Sequence, residues 1–206
     1  MSSEEIVGVV LAAGESSRFG SPKHFLPFAH TTLLGQVVEN ANASALERVV
    51  VVLGRGADPI RRALEFGRAE LVENTAYGTG CASSLLAGLD AAADCAALML
   101  LLGDQPGVTT EVIDRLAADW RQERSWATVT SYRGEIGHPF LFASEAFPDL
   151  RRVHGDKAVW KLIEDFPHRL RRVEVDAELP PDVDRPEDYP RALEHWRRLT
   201  LRARER

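Results

Sequence analysis

The sequence predicts a three-layer α/β/α domain with a mostly parallel central sheet, and three observations carry that prediction. Short apolar runs recur along the chain, each followed by a segment of helical period. The runs are apolar at consecutive positions, so both faces of the strand are buried, as in parallel sheets covered by helices. Strand and helix alternate from end to end, the pattern that builds helices on both faces of a sheet.

Taken in order, Ile6–Ala12, Val49–Leu53 and Ala97–Leu102 are the strands that composition marks best, with Ala127–Ser131 and Phe140–Phe142 as weaker candidates. Leu34, Val37, Val38 and Ala41 fall at i, i+3, i+4 and i+7, one apolar helical stripe. The spacing recurs at Ala82, Leu85, Leu86, Leu89, at Val159, Leu162, Ile163, Phe166, and at Tyr189, Ala192, Leu193, Trp196. Val112, Ile113, Leu116, Ala117 and Trp120 form a further face, with Thr109 or Thr110 as its N-cap. Pro180-Pro181 reads as a turn before the last helix. With 206 residues and no repeat, low-complexity tract or linker, residues 1–206 are read as one domain.

Composition narrows the function classes. A hydrophobic fraction of 45% with 27% charged residues is that of a globular protein, and no apolar run approaches a membrane span. Residues 1–5 carry no basic n-region, so no signal peptide is expected. Cys81 and Cys95 lack metal-ligand spacing and read as free thiols of a reducing cytoplasm. The net charge of −6 argues against a nucleic-acid binder, which needs a basic face. The arginines at 197, 198, 202, 204 and 206 read as a solvated helix end.

In open sheets of this kind, ligands bind outside the carboxyl ends of the strands. The segment after the first strand runs Leu11-Ala12-Ala13-Gly14-Glu15-Ser16-Ser17-Arg18-Phe19-Gly20-Ser21-Pro22-Lys23. Its glycines and serines allow a tight curl that points N–H groups at an anion, and Arg18 and Lys23 add two cations, a combination suited to a triphosphate. It is neither a Walker A loop, because no Gly-Lys-Ser/Thr follows the glycines, nor a G-x-G-x-x-G dinucleotide fingerprint. Asp104 directly follows an apolar strand, where a carboxylate is an oxygen ligand open to the cleft. Asp184-x-x-Glu187 with Pro186 reads as a capping box, which accounts for Asp184 without catalysis.

The loop Leu-Ala-Ala-Gly-x-Ser-x-Arg-Phe-Gly-x-Pro-Lys resembles the signature of the nucleotidyltransferases that attach CMP or GMP to molybdopterin. Their wider relatives are sugar-nucleotide pyrophosphorylases and cytidylyltransferases of isoprenoid synthesis. Asn74…Tyr77-Gly78-Thr79-Gly80-Cys81-Ala82-Ser83-Ser84-Leu85 resembles the second nucleotide loop of that family, and Leu102-Gly103-Asp104-Gln105-Pro106 its metal motif. Gly137-His138-Pro139, Gly155-Asp156 and Asp182–Asp188 are similar to its acceptor and second metal regions.

The resemblance implies a Rossmann-like domain of the nucleotide-diphospho-sugar transferase type and a Mg2+-dependent transfer of NMP from an NTP, with release of pyrophosphate. It implies Arg18, Lys23 and Asp104 as catalytic residues. Leu11, Ala12, Ala13, Gly14, Gly54 and Gly80 would join these three in binding the nucleotide, with Arg55 beside Gly54 at the base. His138, Gly155 and Asp156 would hold the acceptor, with Trp126 and Trp160 at its border, and Asp104 and Asp184 the magnesium. An acceptor phosphate is already anionic and needs no general base, so Ser16, Ser17, Ser83 and Ser84 are not nominated as nucleophiles. Leu-Ala-Ala-Gly, with Ala13, favours CTP over GTP. After Gly155-Asp156 the chain has Lys157-Ala158-Val159-Trp160 where the cytidylyltransferases resemble Gly-Ala-Arg, so the arginine of that pattern is missing. The implied partners are an NTP, a molybdopterin-type acceptor and a client molybdoenzyme. The alternatives are the same chemistry on a sugar phosphate, phospholactate or an isoprenoid-precursor phosphate, and a non-catalytic accessory protein.

Overall fold

The computed structural model describes residues 4–14, 19, 22–54, 57–76, 81–155 and 158–204. Nine strands are described: β1 (Ile6–Ala12), β2 (Pro27–Phe28), β3 (Thr31–Thr32), β4 (Arg48–Gly54), β5 (Glu70–Asn74), β6 (Ala97–Leu102), β7 (Ala127–Tyr132), β8 (Glu135–Ala143) and β9 (Leu170–Val175). The α-helices are α1 (Leu33–Asn42), α2 (Asp58–Ala63), α3 (Cys81–Ala91), α4 (Thr110–Glu123), α5 (Phe147–Leu150), α6 (Ala158–Asp165) and α7 (Asp188–Arg204).

Seven strands form one sheet in the order β5-β4-β1-β6-β8-β7-β9, and β2 and β3 form a separate ribbon. β1 runs parallel to β4 and β6, β4 to β5, and β7 to β9, while β8 is antiparallel to both its neighbours. β7 and β8 are joined by Arg133 and Gly134, both at positive φ (50° and 94°). This is the two-residue geometry that matches strand twist, and Gly134 adopts it without a side-chain penalty.

Alternate residues of β1 enter different cores, as pleating requires. Ile6, Val10 and Ala12 join Leu34, Val38, Ile113 and Leu116 beneath α1 and α4. Val7 and Val9 join Leu85, Leu89, Leu162 and Ile163 beneath α3 and α6. The three-layer, mostly parallel expectation therefore holds. Thr32 caps α1 by accepting from Gly35 N at 3.1 Å. Thr109 occupies the N-cap position of α4 without a side-chain bond, and Thr110 Oγ1 instead donates to Asn40 O at 3.1 Å.

Two readings are corrected. The segment at Pro180-Pro181 is an irregular run rather than a turn. Helix α7 begins at Asp188, whose carboxylate accepts from the N–H groups of Asp184 and Arg185 (3.2 and 2.9 Å), so the capping-box reading of Asp184 fails. A third apolar cluster, Phe28, Leu33, Val183 and Ala192, docks α7 on the β2–β3 ribbon, with Phe28 and Trp196 edge to face at 5.7 Å. Tyr189 adds a hydroxyl bond to the Pro27 carbonyl.

Candidate active site

Strands β1, β4 and β5 step outward in chain order, and β6 then returns to the other side of β1. The reversal opens a crevice between the carboxyl ends of β1 and β6, the place where such sheets bind ligands. Leu11 pairs in register with Leu102 and with Val52, so the three strand ends are level. Gly103 follows with its N–H on Leu11 O at 2.9 Å. A Cβ at Gly103 would lie 3.0 Å from both Ala12 Cβ and Leu11 O, so the chain turns there against β1 and delivers Asp104 to the crevice.

Lys23 arrives from the other side, on a short 3-10 turn over Lys23–Phe25. Its ammonium donates to Asp104 Oδ2 at 2.5 Å, to Val183 O at 2.9 Å and to Asp184 Oδ1 at 3.2 Å. Burial on its own would lower the Lys23 pKa, yet the carboxylates of Asp104 and Asp184 hold it above the ordinary value. Beside them, burial and the charges of Asp104 and Asp184 push the Asp182 carboxyl up to about 7. Two carboxylates thus hold the ammonium, with the Asp182 carboxyl near enough to feel their charge.

Three oxygens converging on one cation form a hard, oxygen-only donor set. Among the described residues no group of three or more His, Cys, Asp or Glu side chains is arranged to hold a metal by itself. Two carboxylates, with phosphate and water oxygens completing the shell, is the usual arrangement for magnesium, and these residues fit it.

The remaining expected positions divide as follows. Ala12 and Ala13 are buried at the end of β1, Gly14 is open, with no atom within 4 Å of an added Cβ, and Gly54 ends β4. Arg18, Arg55, Gly80, Asp156 and Lys157 lie outside the described residues. Asn74 organises the start of the second loop: its amide donates to Ser83 and Ser84 Oγ (2.9 and 3.0 Å), and its oxygen accepts from Ala76 N. Both serine hydroxyls thereby accept from one amide.

Of the expected acceptor residues, His138 lies on β8 and Gly155 ahead of α6. His138 is buried, with its ring 4.2 Å from that of Phe140 and 6.0 Å from that of Trp160. Burial lowers its pKa to about 3, so the imidazole is neutral. Trp160 is half-buried, and Gly155, at positive φ, has open space around it. Trp126, expected at the border, is instead a core residue packed on Phe142 and Phe166, with the Arg169 guanidinium 4.2 Å above its ring. A hollow of about 750 Å3 between α4 and α7, lined by Arg115, Arg133 and Trp196, contains none of these residues.

Asp182, the Val183 carbonyl and Gln105 adjoin these residues, and the sequence places them only within segments resembling the metal regions without singling them out. The available signal was alternation: in an extended segment, residues two apart share a side, which groups Asp182 with Asp184.

Comparison with known proteins agrees with this geometry. The chain is 29% identical over 196 residues to a nicotine blue oxidoreductase of Paenarthrobacter nicotinovorans, covering 91% of this chain and 96% of that protein. It is 29% identical to a molybdenum cofactor guanylyltransferase of Mesorhizobium japonicum (84% and 83% covered) and 25% identical to a molybdenum cofactor cytidylyltransferase of Escherichia coli (91% and 95%). The solved structure of Rv0371c of Mycobacterium tuberculosis in complex with manganese superposes with a TM-score of 0.77 at 34% identity, covering 93% of this chain and 99% of that one. Residues 8–173 match the family described as the MobA-like NTP transferase domain. By that match, and by a crevice that holds a lysine between two aspartates at the switch point of the sheet, the chain belongs to the MobA-like NTP transferase family of nucleotidyltransferases.

Proposed function

We propose that this protein transfers a nucleoside monophosphate, CMP in preference to GMP, from an NTP to a phosphorylated acceptor of the molybdopterin type. The observation that carries the reading is the Lys23 ammonium held by Asp104, Asp184 and the Val183 carbonyl beside the β1 loop. Asp104 and Asp184 would hold Mg2+, which supplies charge neutralisation on the phosphates when bound. The manganese complex of a relative at 34% identity supports a role for a divalent ion. Lys23, displaced from the carboxylates, would then bond the α-phosphate and offset the charge that grows on it. The N–H groups after β1 and Arg18 would hold the leaving pyrophosphate. Ala12, Ala13, Gly14 and Gly54, with Leu11 and Gly80, would frame the nucleotide.

An acceptor phosphate oxygen attacks the α-phosphorus in line, so the chain's task is positioning. The neutral, buried His138 suits this, because with Phe140 and Trp160 it would form an aromatic floor for the acceptor, which Gly155 and Asp156 would also hold. Ala13 supports CTP, although both CTP- and GTP-named enzymes are among the relatives. The other acceptors, sugar phosphate, phospholactate and isoprenoid-precursor phosphate, use the same chemistry, and a client molybdoenzyme would receive the product. A cytoplasmic setting fits these small-molecule partners.

Calorimetric titration with CTP, GTP, ATP and UTP, each with and without Mg2+, tests the nucleotide. Pyrophosphate release with molybdenum cofactor and the other acceptors tests the transfer. Magnesium-dependent binding of CTP is the expected result, and a preference for GTP would overturn the role given to Ala13. A second reading, oxidoreduction, is favoured by the likeness to nicotine blue oxidoreductase over nearly the whole chain. Loss of the blue colour with an added two-electron (hydride) donor, in the absence of any NTP and not seen with donor alone, would establish it.

A further inference from the structure

The two carboxylates of the crevice come from segments far apart in sequence, and two hydrogen bonds join those segments next to them. One is backbone, from Val183 N to Asp104 O at 3.0 Å. The other is made by Gln105, whose Nε2 donates to Pro180 O at 3.0 Å. Pro180 and Pro181 have no N–H, so this stretch cannot secure itself with its own donors and depends on one that reaches it.

Gln105 is 4% exposed and stands in a tight turn, with its N–H on Leu102 O and its carbonyl accepting from Val108 N, both at 3.2 Å. Asp104 lies inside the same turn. On the outer side His195 of α7 closes the joint. A Cβ at Gly107 would stand 2.8 Å from the His195 ring and 2.9 Å from Pro180 Cβ, so turn, proline and helix meet without spare room. Gln105 Oε1 is buried with no hydrogen-bond partner among the described residues. An acceptor left so costs stability, and an apolar side chain of the same length would relieve that cost while leaving Pro180 O without its donor.

We infer that Gln105 is a positioning residue for the metal site: its amide fixes the spacing of Asp184 from Asp104 by holding Pro180 against the Asp104 turn. The inference rests on the reading of Asp104 and Asp184 as the pair that holds the ion.

The test is binding of Mn2+ alone to the full-length protein, followed by the EPR signal of free Mn2+, for wild type, Asp104→Asn and Gln105→Met. Gln105→Met should melt within about 5 °C of wild type, since losing the unpaired Oε1 offsets part of the cost of leaving Pro180 O without its donor. Its Mn2+ affinity should nevertheless fall about three- to tenfold, the equivalent of one ordinary hydrogen bond, while Asp104→Asn falls further. If Gln105→Met binds like wild type and Asp104→Asn does not, the positioning role is wrong and the metal site stands. If wild type does not bind, or Asp104→Asn binds equally well, both readings are overturned. Should Gln105→Met melt more than about 5 °C lower, Gln105→Asn carries the same test, because it keeps the amide but shortens its reach by one methylene.

Discussion

Lys23→Met removes the ammonium from the crevice and keeps a side chain of similar length, and its two expected effects have opposite signs. The bond to Asp104 joins groups that are 12% and 22% exposed, and a charge-assisted bond in such a setting contributes about 1.5–3 kcal/mol. The Asp184 contact has a partner that is 57% exposed, so solvent screening leaves it at most about 0.5 kcal/mol. After the cost of burying the ammonium, a loss of about 2 kcal/mol is expected, or roughly 4–8 °C in melting temperature for a chain of this size. Metal binding should respond the other way. An ion entering wild type must displace the ammonium, whereas in the variant it meets free carboxylates. The same 2 kcal/mol becomes a roughly 10- to 30-fold gain in affinity for Mn2+ alone. Saturating Mn2+ should therefore restore the melting temperature of the variant. Affinity for CTP with Mg2+ should fall, since the phosphate loses its cation. The folded pKa of Lys23 is raised, so its contribution is complete below 10.5 and is lost only as pH rises through the higher folded value. The ionisation of Lys23 itself should therefore leave the stability gap between variant and wild type unchanged from pH 6 to 9, and a widening above about pH 7 is expected from Asp182, whose carboxylate the ammonium helps to ionise. Unchanged or weaker Mn2+ binding by Lys23→Met would refute the idea that lysine and metal share one position.

Other predictions follow from the same geometry. Asp104→Asn should lower pyrophosphate release at least about 100-fold and cost the fold no more than about 2 kcal/mol, checked by turnover beside a thermal melt. Gly103→Ala would press a methyl to 3.0 Å from Leu11 O, and should destabilise by about 1–3 kcal/mol and weaken Mn2+ binding, read by denaturant titration and EPR. His138 is held at about 3 against an ordinary 6.5, so the unfolded chain takes up a proton that the native one refuses, and stability falls as pH drops through that window. His138→Phe should flatten this decline, with a relative gain of about 2–3 kcal/mol at pH 4.5 in melts run across pH. The slope that remains should belong in part to His24, which burial and the neighbouring Lys23 lower to about 4.

The central strands were legible because burial on both faces leaves an uninterrupted apolar run: Ile6–Ala12 and Ala97–Leu102 match to the residue. The outer strands were not. β5 carries Glu70 and Glu73, and β9 carries Arg171, Arg172 and Glu174, charges suited to sheet edges that erase the apolar signal. β8 was seen only at Phe140–Phe142, since its first residues, Glu135 and Ile136, remain partly in solvent. At the site, Lys23, Asp104 and Asp184 were named from the resemblance of their motifs. Their meeting at one point could not be read from spacing, because it depends on α7 docking upon the β2–β3 ribbon. Asp184 resembles a helix cap because Asp-x-x-Glu fits the capping pattern, whereas α7 begins only at Asp188, whose carboxylate reaches back to the N–H groups of Asp184 and Arg185.

The Arg133-Gly134 turn bears on the order in which the chain assembles. Every parallel pairing in the sheet requires a crossover, and closing long loops before any contact repays them makes such pairings slow. The β7–β8 hairpin needs to close only two residues and can form on a microsecond scale. It presents β8 as a ready edge for β6, which also pairs with β1 from the first half of the chain. The lone antiparallel strand is thus the seam along which the two halves join, and β-branched replacements of Gly134 should slow refolding while leaving the crevice, at the far side of β6, unaltered.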